Sequence, residues 1–258
     1  MRYSNSQNFK RKVVVITGSS GGIGKECARI LGKRGAILIL QSSHGLDHDF
    51  VNELEKENIR FREIKIDLLN PKAEEIIEKN INLVERKYRR INVLINLAGR
   101  RTEGFWSKKP FDYSAKELQE LIKTDVLGTF LFSKFVAKVM KKKKKGVIIN
   151  TASNVVFSGG ENIGWVIAKS AIAGITKSFA RFLGPYGIRV NAVAPGCIKT
   201  GWEKLLPRAE YKILEEEPLF KRFGLPSEIA KVIVDITSDD FNFMTGQTIV
   251  VDGGVIFR

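Results

Sequence analysis

The chain has 258 residues, of which 43% are hydrophobic and 28% charged, and its formal net charge at pH 7 is +15. It contains no window of eighteen consecutive apolar residues and begins with a polar stretch over 1–12, so the sequence predicts neither a membrane span nor a secretory signal and favours a cytoplasmic location. The two cysteines, Cys27 and Cys197, lie far apart in apolar patterns, which is typical of reduced packing residues and not of a disulfide framework.

Short apolar runs alternate with helical patterns along the whole chain. Seven runs indicate strands, most of them without the polar alternation of a half-exposed strand. These runs are Val13–Ile16, Ile37–Leu40, Phe61–Ile66, Val93–Ile95, Val147–Ile149, Ile188–Val193 and Thr248–Val251. Helical spacing of apolar residues covers Ile23 to Gly35, Pro71 to Arg89, Ser114 to about Lys138, Gly164 to Leu183 and Pro226 to Thr237.

This alternation predicts an α/β fold, because parallel strands need helical crossovers that cover both faces of the sheet. No linker or internal repeat interrupts the pattern. We therefore expect a single Rossmann-type domain over residues 1–258, with a seven-stranded, doubly wound parallel sheet.

A glycine-rich loop joins the first strand to the first helix. Thr17, Gly18, Gly22 and Gly24 give the spacing Thr-Gly-x-x-x-Gly-x-Gly. Glycines let the backbone turn tightly and approach a pyrophosphate, and the helix N-terminus beyond them offers N–H groups and a positive dipole end. Glycines also serve ordinary turns, but their place in the first strand–turn–helix unit favours a dinucleotide site.

From about Lys10 to Gly254, the chain resembles the short-chain dehydrogenase/reductase family. The likeness rests on the glycine loop, on 96–99 (Asn-Leu-Ala-Gly), on 188–196, on 246–254 and on Ser153 with Lys169. It is nearest to 3-oxoacyl-acyl-carrier-protein reductases and related sugar or alcohol dehydrogenases. The resemblance implies an oxidoreductase that uses NADP or NAD on a small carbonyl or alcohol substrate.

The resemblance also implies which residues hold the cofactor. Asp67 lies where the family contacts the adenine, and Ile198 and Thr200 match positions that hold the nicotinamide carboxamide. The implied set is Gly18, Ser20, Gly22, Ile23, Gly24, Ser42, Ser43, Asp67, Leu68, Asn96, Ala98, Gly99, Lys169, Pro195, Gly196, Ile198 and Thr200.

The end of the second strand favours NADP over NAD. An acidic residue there would bind the ribose 2′-hydroxyl of NAD and repel a 2′-phosphate. Residues 41–44 read Gln-Ser-Ser-His and contain no carboxylate. Against NADP, Gly21 stands where relatives that prefer NADP often carry a basic residue. Ser43 and His44 are phosphate contacts on one interpretation and plain loop residues on the other.

Two positions depart from the catalytic pattern that the resemblance implies. The family carries Tyr-x-x-x-Lys with an upstream serine, and here Ser153 and Lys169 match while Trp165 occupies the tyrosine position. A phenol with a pKa of about 10 can be tuned to donate a proton, whereas an indole N–H only donates a hydrogen bond. The family's asparagine position is Asp125, which would set a carboxylate beside Lys169.

Other acids are less suitable. Tyr113 stands next to Ser114 and is expected before the long helix, away from the reacting centre, and Ser158 is a further candidate. A lysine beside Asp125 favours the ionised carboxylate, which cannot donate a proton. Losing one acid–base group costs roughly 10²–10⁴-fold in rate, so we expect a slow enzyme or, alternatively, a silent dinucleotide-binding protein that acts as a sensor or partner subunit.

The segment that contains His44, Asp47, His48 and Asp49 invites a metal interpretation. We predict no metal site, because no cysteine or third histidine completes a ligand set. The two aspartates would instead favour the positive end of the helix that follows.

Residues 199–222 are predicted to form a lid over the substrate. Trp202, Leu205, Leu206, Tyr211 and Leu219 suggest a partly apolar mouth, while Lys204 and Arg208 could meet an anion. The resemblance implies a homo-oligomer, a dimer or tetramer, joined through the long helices.

The positive charge leaves two interpretations open. Its field would attract anions, including nucleic acid, acidic proteins and membrane surfaces. We favour a lysine- and glutamate-rich surface of the heat-stable kind, because the charges are spread along the chain. The run 141–145 would complement the negative end of a helix, and no aromatic residues are interleaved with it. We therefore expect no specific nucleic-acid partner and no membrane partner.

Overall fold

The structure is a computed structural model that describes residues 9–99, 105 and 108–257. Its sheet has seven strands, all paired in parallel, in the order β3-β2-β1-β4-β5-β6-β7. The strands are β1 (Val13–Thr17), β2 (Ile37–Ser42), β3 (Arg60–Lys65), β4 (Val93–Asn96), β5 (Gly146–Thr151), β6 (Ile188–Pro195) and β7 (Thr248–Val251). The strand order reverses between β1 and β4, which is the topological switch point of a doubly wound sheet. The predicted fold class is confirmed.

Helices cover both faces of the sheet. They are α1 (Gly22–Lys33), α2 (His48–Lys56), α3 (Ala73–Tyr88), α4 (Ala115–Leu121), α5 (Gly128–Lys143), α6 (Val155–Ser158), α7 (Ile163–Leu183), α8 (Arg208–Glu216) and α9 (Pro226–Ile236). Alternate residues of β1 point to opposite faces: Val14 and Ile16 pack with α1 and α9, whereas Val13 and Val15 pack on the side of α3 and α5. Both layers are apolar, which explains the absence of polar alternation in the strands.

The long helix predicted from Ser114 to about Lys138 is interrupted and runs further. Ser114 caps α4 through the predicted capping box with Glu117. A π-helical segment, Ile122–Leu127, then joins α4 to α5, which ends at Lys143. A π segment inserts an extra residue into the turn, and such segments are frequent at functional sites. This one carries Asp125, which is fully buried.

Every helix-to-strand turn lies at the edge where the parallel strands begin, which we name the amino edge. Backbone hydrogen bonds join neighbouring turns there, from Phe9 N to Arg34 O (3.1 Å) and from Val147 N to Asn92 O (3.0 Å). The lysine run is part of this edge: 141–143 end α5, as the dipole argument predicts. The amino edge comprises 9–12, 33–36, 55–60, 85–92, 141–145, 181–187 and 235–247.

Arg189 provides a test of the packing at the amino edge. Its buried guanidinium donates to the backbone oxygens of Ile236 (3.0 Å) and Ser238 (2.9 Å), and so closes the carboxyl end of α9. We expect Arg189→Met to lower the free energy of unfolding by about 2–3 kcal/mol, because buried carbonyls lose their donor. Chemical denaturation would measure it. The exposed Arg181→Met is the control and should change stability by less than about 0.5 kcal/mol. Equal effects would contradict the assigned role.

Candidate active site

The glycine loop is held open by close backbone approaches at the carboxyl ends of β1 and β4. Gly18 has φ +64°, and a Cβ there would lie 2.7 Å from the backbone N of Ala98. A Cβ on Gly24 would lie 2.5 Å from Gly18 O, and one on Gly22 would lie 3.2 Å from the Thr200 side chain. Gly18 and Gly24 are therefore required by space, a side chain at Gly22 would have to displace Thr200, and the loop leaves a cradle between the strand end and α1.

The amino end of α1 faces this cradle without a side-chain cap. Its N-cap residue is Gly21, and the first turn has no acidic residue. Ser20 is exposed beside it, and Ile23 is half-buried in the first turn. The open N–H groups and the positive end of the helix dipole form the arrangement that binds phosphate.

The carboxyl end of β2 lies beside the loop, and its glutamine turns inward. Gln41 Nε2 donates to Ile66 O at 2.9 Å, and Gln41 Oε1 accepts from Gly18 N at 3.2 Å, so this side chain links three strands. Ser42 is buried, and its hydroxyl accepts from Gly45 N. Ser43 and His44, which follow β2 and which we name the tip of β2, are exposed.

A lysine on the neighbouring strand adds a positive charge at this tip. A Cβ on Gly45, which has φ +108°, would lie 3.0 Å from Nζ of Lys65. The carboxylate of Glu63 is also close, but it accepts from Leu46 N at 2.6 Å. The sequence argument missed Lys65, because only the register of β2 against β3 brings it to the tip.

The histidine and aspartate segment after β2 serves the next helix. Asp47 is the N-cap of α2: it accepts from Phe50 N at 3.0 Å and pairs with Lys25 at 2.6 Å. The hydrogen bond from Lys25 lowers the pKa of Asp47. His48 Nδ1 and Asn52 are 2.9 Å apart. Within the described ranges, no group of three or more His, Cys, Asp or Glu side chains is arranged to hold a metal ion.

An amide network joins the middle of the sheet to the helices behind it. Asn96 Nδ2 donates to Asn150 Oδ1 (2.9 Å) and Ser133 Oγ (3.1 Å), and Asn150 donates to Thr176 (3.0 Å). Asn96 Oδ1 is buried and has no hydrogen-bond partner in the protein. Ala98 and Gly99 follow at the surface of the cradle, as do the exposed Asp67 and the buried Leu68 beyond β3.

The segment after β6 closes the cradle from the other side. Pro195 ends the strand, and Gly196 lies so close to Asp252 that a Cβ would be 2.7 Å from its side chain. Ile198 is buried and pairs with Gly224 in an isolated bridge. Thr200 comes next, against Gly22 of the loop. The structure thus brings both halves of the predicted cofactor set to one edge of the sheet.

Three of the predicted catalytic positions, Asp125, Trp165 and Lys169, meet in one cluster. Nζ of Lys169 lies 3.3 Å from Asp125 Oδ1, donates to Thr151 O at 3.0 Å, and is 4.4 Å from the centre of the Trp165 ring. Lys169 and Asp125 have side chains that are 4% and 0% exposed. Ser153 is buried at the end of β5, with its hydroxyl turned towards Asn154. The lysine is therefore held by a carboxylate, a carbonyl and an aromatic face.

Tyr113 lies nearer to this cluster than its place in the sequence indicates. It precedes α4, as expected, but its ring packs on Gly164, where a Cβ would be 2.6 Å from the ring. Its hydroxyl donates to Asn162 Oδ1 at 2.6 Å, and the same oxygen accepts from Trp165 N at 3.0 Å. The expectation that Tyr113 lies away from the reacting centre stays a prediction. The π segment and α4 both contact α7, which places the Tyr113 ring against Gly164 in the first turn of that helix.

Phe105 covers the outer side of the cluster. Its ring packs edge-on against Trp165, with ring centres 5.9 Å apart, and it is 5% exposed. Asn162 Nδ2 donates to Phe105 O at 2.6 Å. Asn162 therefore joins Phe105, Tyr113 and Trp165, a role that no motif in the sequence indicated.

The predicted lid folds into a short 3-10 turn, Trp202–Leu205, and α8. Trp202 donates to Ile198 O at 2.8 Å, which ties the lid to the cofactor segment. Tyr211 packs on Phe223, with ring centres 4.9 Å apart, while Leu205 and Leu219 remain exposed. An apolar face is therefore present at the lid.

Comparisons with known proteins agree with this geometry. A family model described as enoyl-(acyl carrier protein) reductase matches residues 18–256. The 3-oxoacyl-acyl-carrier-protein reductase FabG of Thermotoga maritima is 34% identical over 250 residues, covering 95% of this chain and 98% of the relative. A 3alpha-hydroxysteroid dehydrogenase of Mediterraneibacter gnavus is 33% identical over 248 residues, covering 95% and 97%. The solved structure of the Cj0485 dehydrogenase superposes with a TM-score of 0.87 at 28% identity, covering 98% of this chain and 97% of that one.

The chain belongs to the short-chain dehydrogenase/reductase family, a family of oxidoreductases. Membership implies a nicotinamide dinucleotide cofactor of the NAD(P) type and a small-molecule substrate. The glycine cradle and the uncapped amino end of α1 fit the pyrophosphate of such a cofactor. None of the described helices is long and apolar enough to cross a membrane.

Filling the cradle tests this fit. We expect Gly22→Val to weaken NADPH binding at least about tenfold, because the branched side chain would meet Thr200 and occupy the space of the pyrophosphate. Titration of the cofactor's fluorescence would measure this, with thermal unfolding as a check on folding. Gly174→Val is the matched control, since a Cβ there has nothing within 4 Å. Unchanged binding in Gly22→Val would rule out the cradle.

Proposed function

We propose that this protein is an NADP-preferring oxidoreductase that acts slowly on a small carbonyl or alcohol substrate, because its catalytic tetrad is degenerate. Gly18, Gly22, Gly24 and the amino end of α1 would hold the pyrophosphate, and Lys169 the nicotinamide ribose. The cofactor would supply the hydride when bound. The whole chain would act as one cofactor-binding domain.

The observation that carries this proposal is the environment of Lys169. In the family resemblance, this lysine lowers the pKa of a tyrosine that donates the proton. Here the tyrosine position holds Trp165, and the Lys169 ammonium lies 3.3 Å from Asp125. A carboxylate at that distance offsets the field of the ammonium. Two of the four tetrad positions therefore differ in ways that both weaken proton donation.

NADP is favoured by charge at the tip of β2. Residues 41–44 contain no carboxylate, and the two acidic side chains nearby have other partners: Asp47 caps α2, and Glu63 accepts from Leu46 N. Lys65 places an ammonium beside Gly45, and Ser43 and His44 are exposed next to it. A 2′-phosphate would be attracted to this group of side chains.

The assembly and location are part of the same proposal. Exposed apolar side chains on the long helices, among them Leu127, Phe130 and Ile167, would be covered in a dimer or tetramer. The two cysteines, both free thiols, support a cytoplasmic location.

A silent dinucleotide-binding protein is the second candidate. It is favoured by Phe105, whose ring packs edge-on against Trp165 at the position where the family carries its proton donor. Tight cofactor binding without turnover of any carbonyl substrate would support this alternative, and rapid turnover would exclude it.

Reversing the two tetrad substitutions tests the proposal. We expect Trp165→Tyr alone to raise NADPH oxidation little, and Trp165→Tyr with Asp125→Asn to raise it at least about tenfold further. The reason is electrostatic: only the second variant removes the carboxylate that offsets Lys169, so only there does the ammonium stabilise the phenolate and lower the pKa of the new tyrosine. Ketones and β-ketoacyl thioesters would be the substrates.

The ultraviolet titration of the new tyrosine gives a readout independent of turnover. Its pKa should lie near the ordinary value of about 10 in the single variant and clearly lower in the double variant. Asp125→Asn alone, which adds no acid, is the control for activity. Equal pKa values in both variants would show that Asp125 does not offset Lys169. Efficient turnover by the native protein that is lost in Tyr113→Phe would instead identify Tyr113 as the acid.

Lys65 tests the cofactor preference. We expect Lys65→Glu to weaken NADPH binding by at least about tenfold and to change NADH binding little, because only NADPH carries the 2′-phosphate. The dissociation constants of both cofactors would be compared. Lys79→Glu, at an exposed lysine on α3, makes the same change of charge away from the tip of β2. The same loss with both cofactors would argue against a role in phosphate recognition.

A further inference from the structure

The parallel sheet concentrates positive charge on one edge of the molecule. The seven turns of the amino edge carry seventeen lysines and arginines and six carboxylates, an excess of eleven positive charges in a chain whose formal net charge is +15. In the sequence these residues are spread from Lys10 to Asp240. The fold brings them together, because every helix-to-strand turn of a parallel sheet lies at the same edge.

Ion pairs within the edge do not account for this excess. Lys142 pairs with Glu85 at 2.7 Å, and Lys145 pairs with Asp239 at 3.2 Å. Lys33 pairs with Glu57 at 3.1 Å. The six carboxylates can neutralise at most six cations, so the field of the remaining charges extends into solvent. An ion-pair network that stabilises the fold would need roughly equal numbers of both signs.

Exposed aromatic rings lie among these cations. Nζ of Lys141 is 4.1 Å from the centre of the Tyr186 ring and 5.1 Å from that of Phe182. Phe182 is 61% exposed, and Phe243, in the turn before β7, is completely exposed. The lysine run 141–145 has no aromatic neighbours in the sequence. In the folded protein, aromatic rings at and just after the carboxyl end of α7 lie beside it.

A recess opens in the middle of the edge. It has a volume of about 260 Å³, and its polar lining includes Lys12, Lys145, Arg189, Asn92, Asn242 and the carboxylate of Asp239. The recess lies between the starts of β1, β4, β5 and β6, on the opposite side of the sheet from the glycine cradle. Arg189 is committed to backbone oxygens and Lys145 to Asp239, so Lys12 and the asparagine amides are the groups of this lining that can donate to phosphate oxygens.

We propose that the amino edge is a binding surface for single-stranded nucleic acid, recognised through its phosphates without sequence specificity. Cations distributed over a sheet about 29 Å wide match a chain of phosphates, and exposed rings among them can stack on unpaired bases. The two exposed phenylalanines offer too little apolar surface to insert into a bilayer. This surface is separate from the cofactor edge, so the proposal stands whether or not the protein is an active reductase.

Fluorescence anisotropy with a labelled thirty-nucleotide oligothymidine tests the proposal on the full-length protein. We expect saturable binding at about 50 mM KCl that weakens steeply with salt, with a log–log slope of about −0.7 for each phosphate contacted. Arg90→Glu with Lys143→Glu, on two turns of the edge, should weaken binding at least about tenfold and reduce the slope. Lys79→Glu with Lys116→Glu changes the net charge equally at exposed lysines elsewhere and should weaken binding less than about threefold.

The aromatic contribution has its own matched pair. Phe243→Ala should weaken binding to the single strand at least about fivefold and leave binding to a duplex unchanged, because stacking requires unpaired bases. Phe111→Ala, at an equally exposed ring outside the edge, should change neither.

Several results would overturn the proposal. The proposal fails if the protein does not bind the oligonucleotide saturably at low salt, or if both charge-reversal pairs weaken binding equally. It also fails if the protein clearly prefers anionic lipid vesicles to the oligonucleotide. Equal losses would mean that the net charge alone attracts the anion, and a preference for vesicles would identify a membrane surface instead. NADPH binding should be unchanged in the amino-edge variants, which separates this test from that of the cofactor site.

Discussion

All seven strands run in the same direction, and the positions of the functional groups follow from this constraint. The glycine cradle, the amide network and the Lys169 cluster lie at the carboxyl ends of the strands. The helix-to-strand turns lie at the opposite edge, where the strands begin. A parallel sheet must be covered on both faces, so its two edges are the places where polar backbone and charged side chains meet solvent. The chemistry of this protein is accordingly divided between two edges about one strand length apart.

The buried cluster around Lys169 joins Asp125 and Trp165 to the same ammonium group. An ammonium that is 4% exposed needs compensation, and Asp125 supplies it from the π segment while Trp165 covers one side. Removing one partner of a buried ion pair typically costs about 3–5 kcal/mol, because the other charge stays buried. Lys169 is thus fixed by its surroundings, whatever its part in catalysis.

Asn162 ties this cluster to the covering segment. Through its amide group it holds Phe105, receives the hydroxyl of Tyr113 and caps the first turn of α7. Its Oδ1 accepts from Tyr113 and Trp165 while its Nδ2 donates to Phe105, so one amide group joins three parts of the site. The aromatic packing of Phe105 on Trp165 then leaves the lid as the more open side of the site.

The sequence by itself predicted the seven strands, the main helices and the glycine loop, because apolar periodicity and glycine spacing are local signals. The roles of Ser153, Trp165 and Lys169 are implied by the family resemblance, which rests on short gapless motifs. Only the tertiary structure decided what depends on distant contacts. The register of β2 against β3 brings Lys65 to the tip of β2, beside the proposed cofactor site. The π segment sets Asp125 against Lys169, and the return of α4 brings Tyr113 to α7. Charges that are scattered along the chain form one basic edge, since pairing of strands far apart in sequence, and not composition, decides which turns become neighbours.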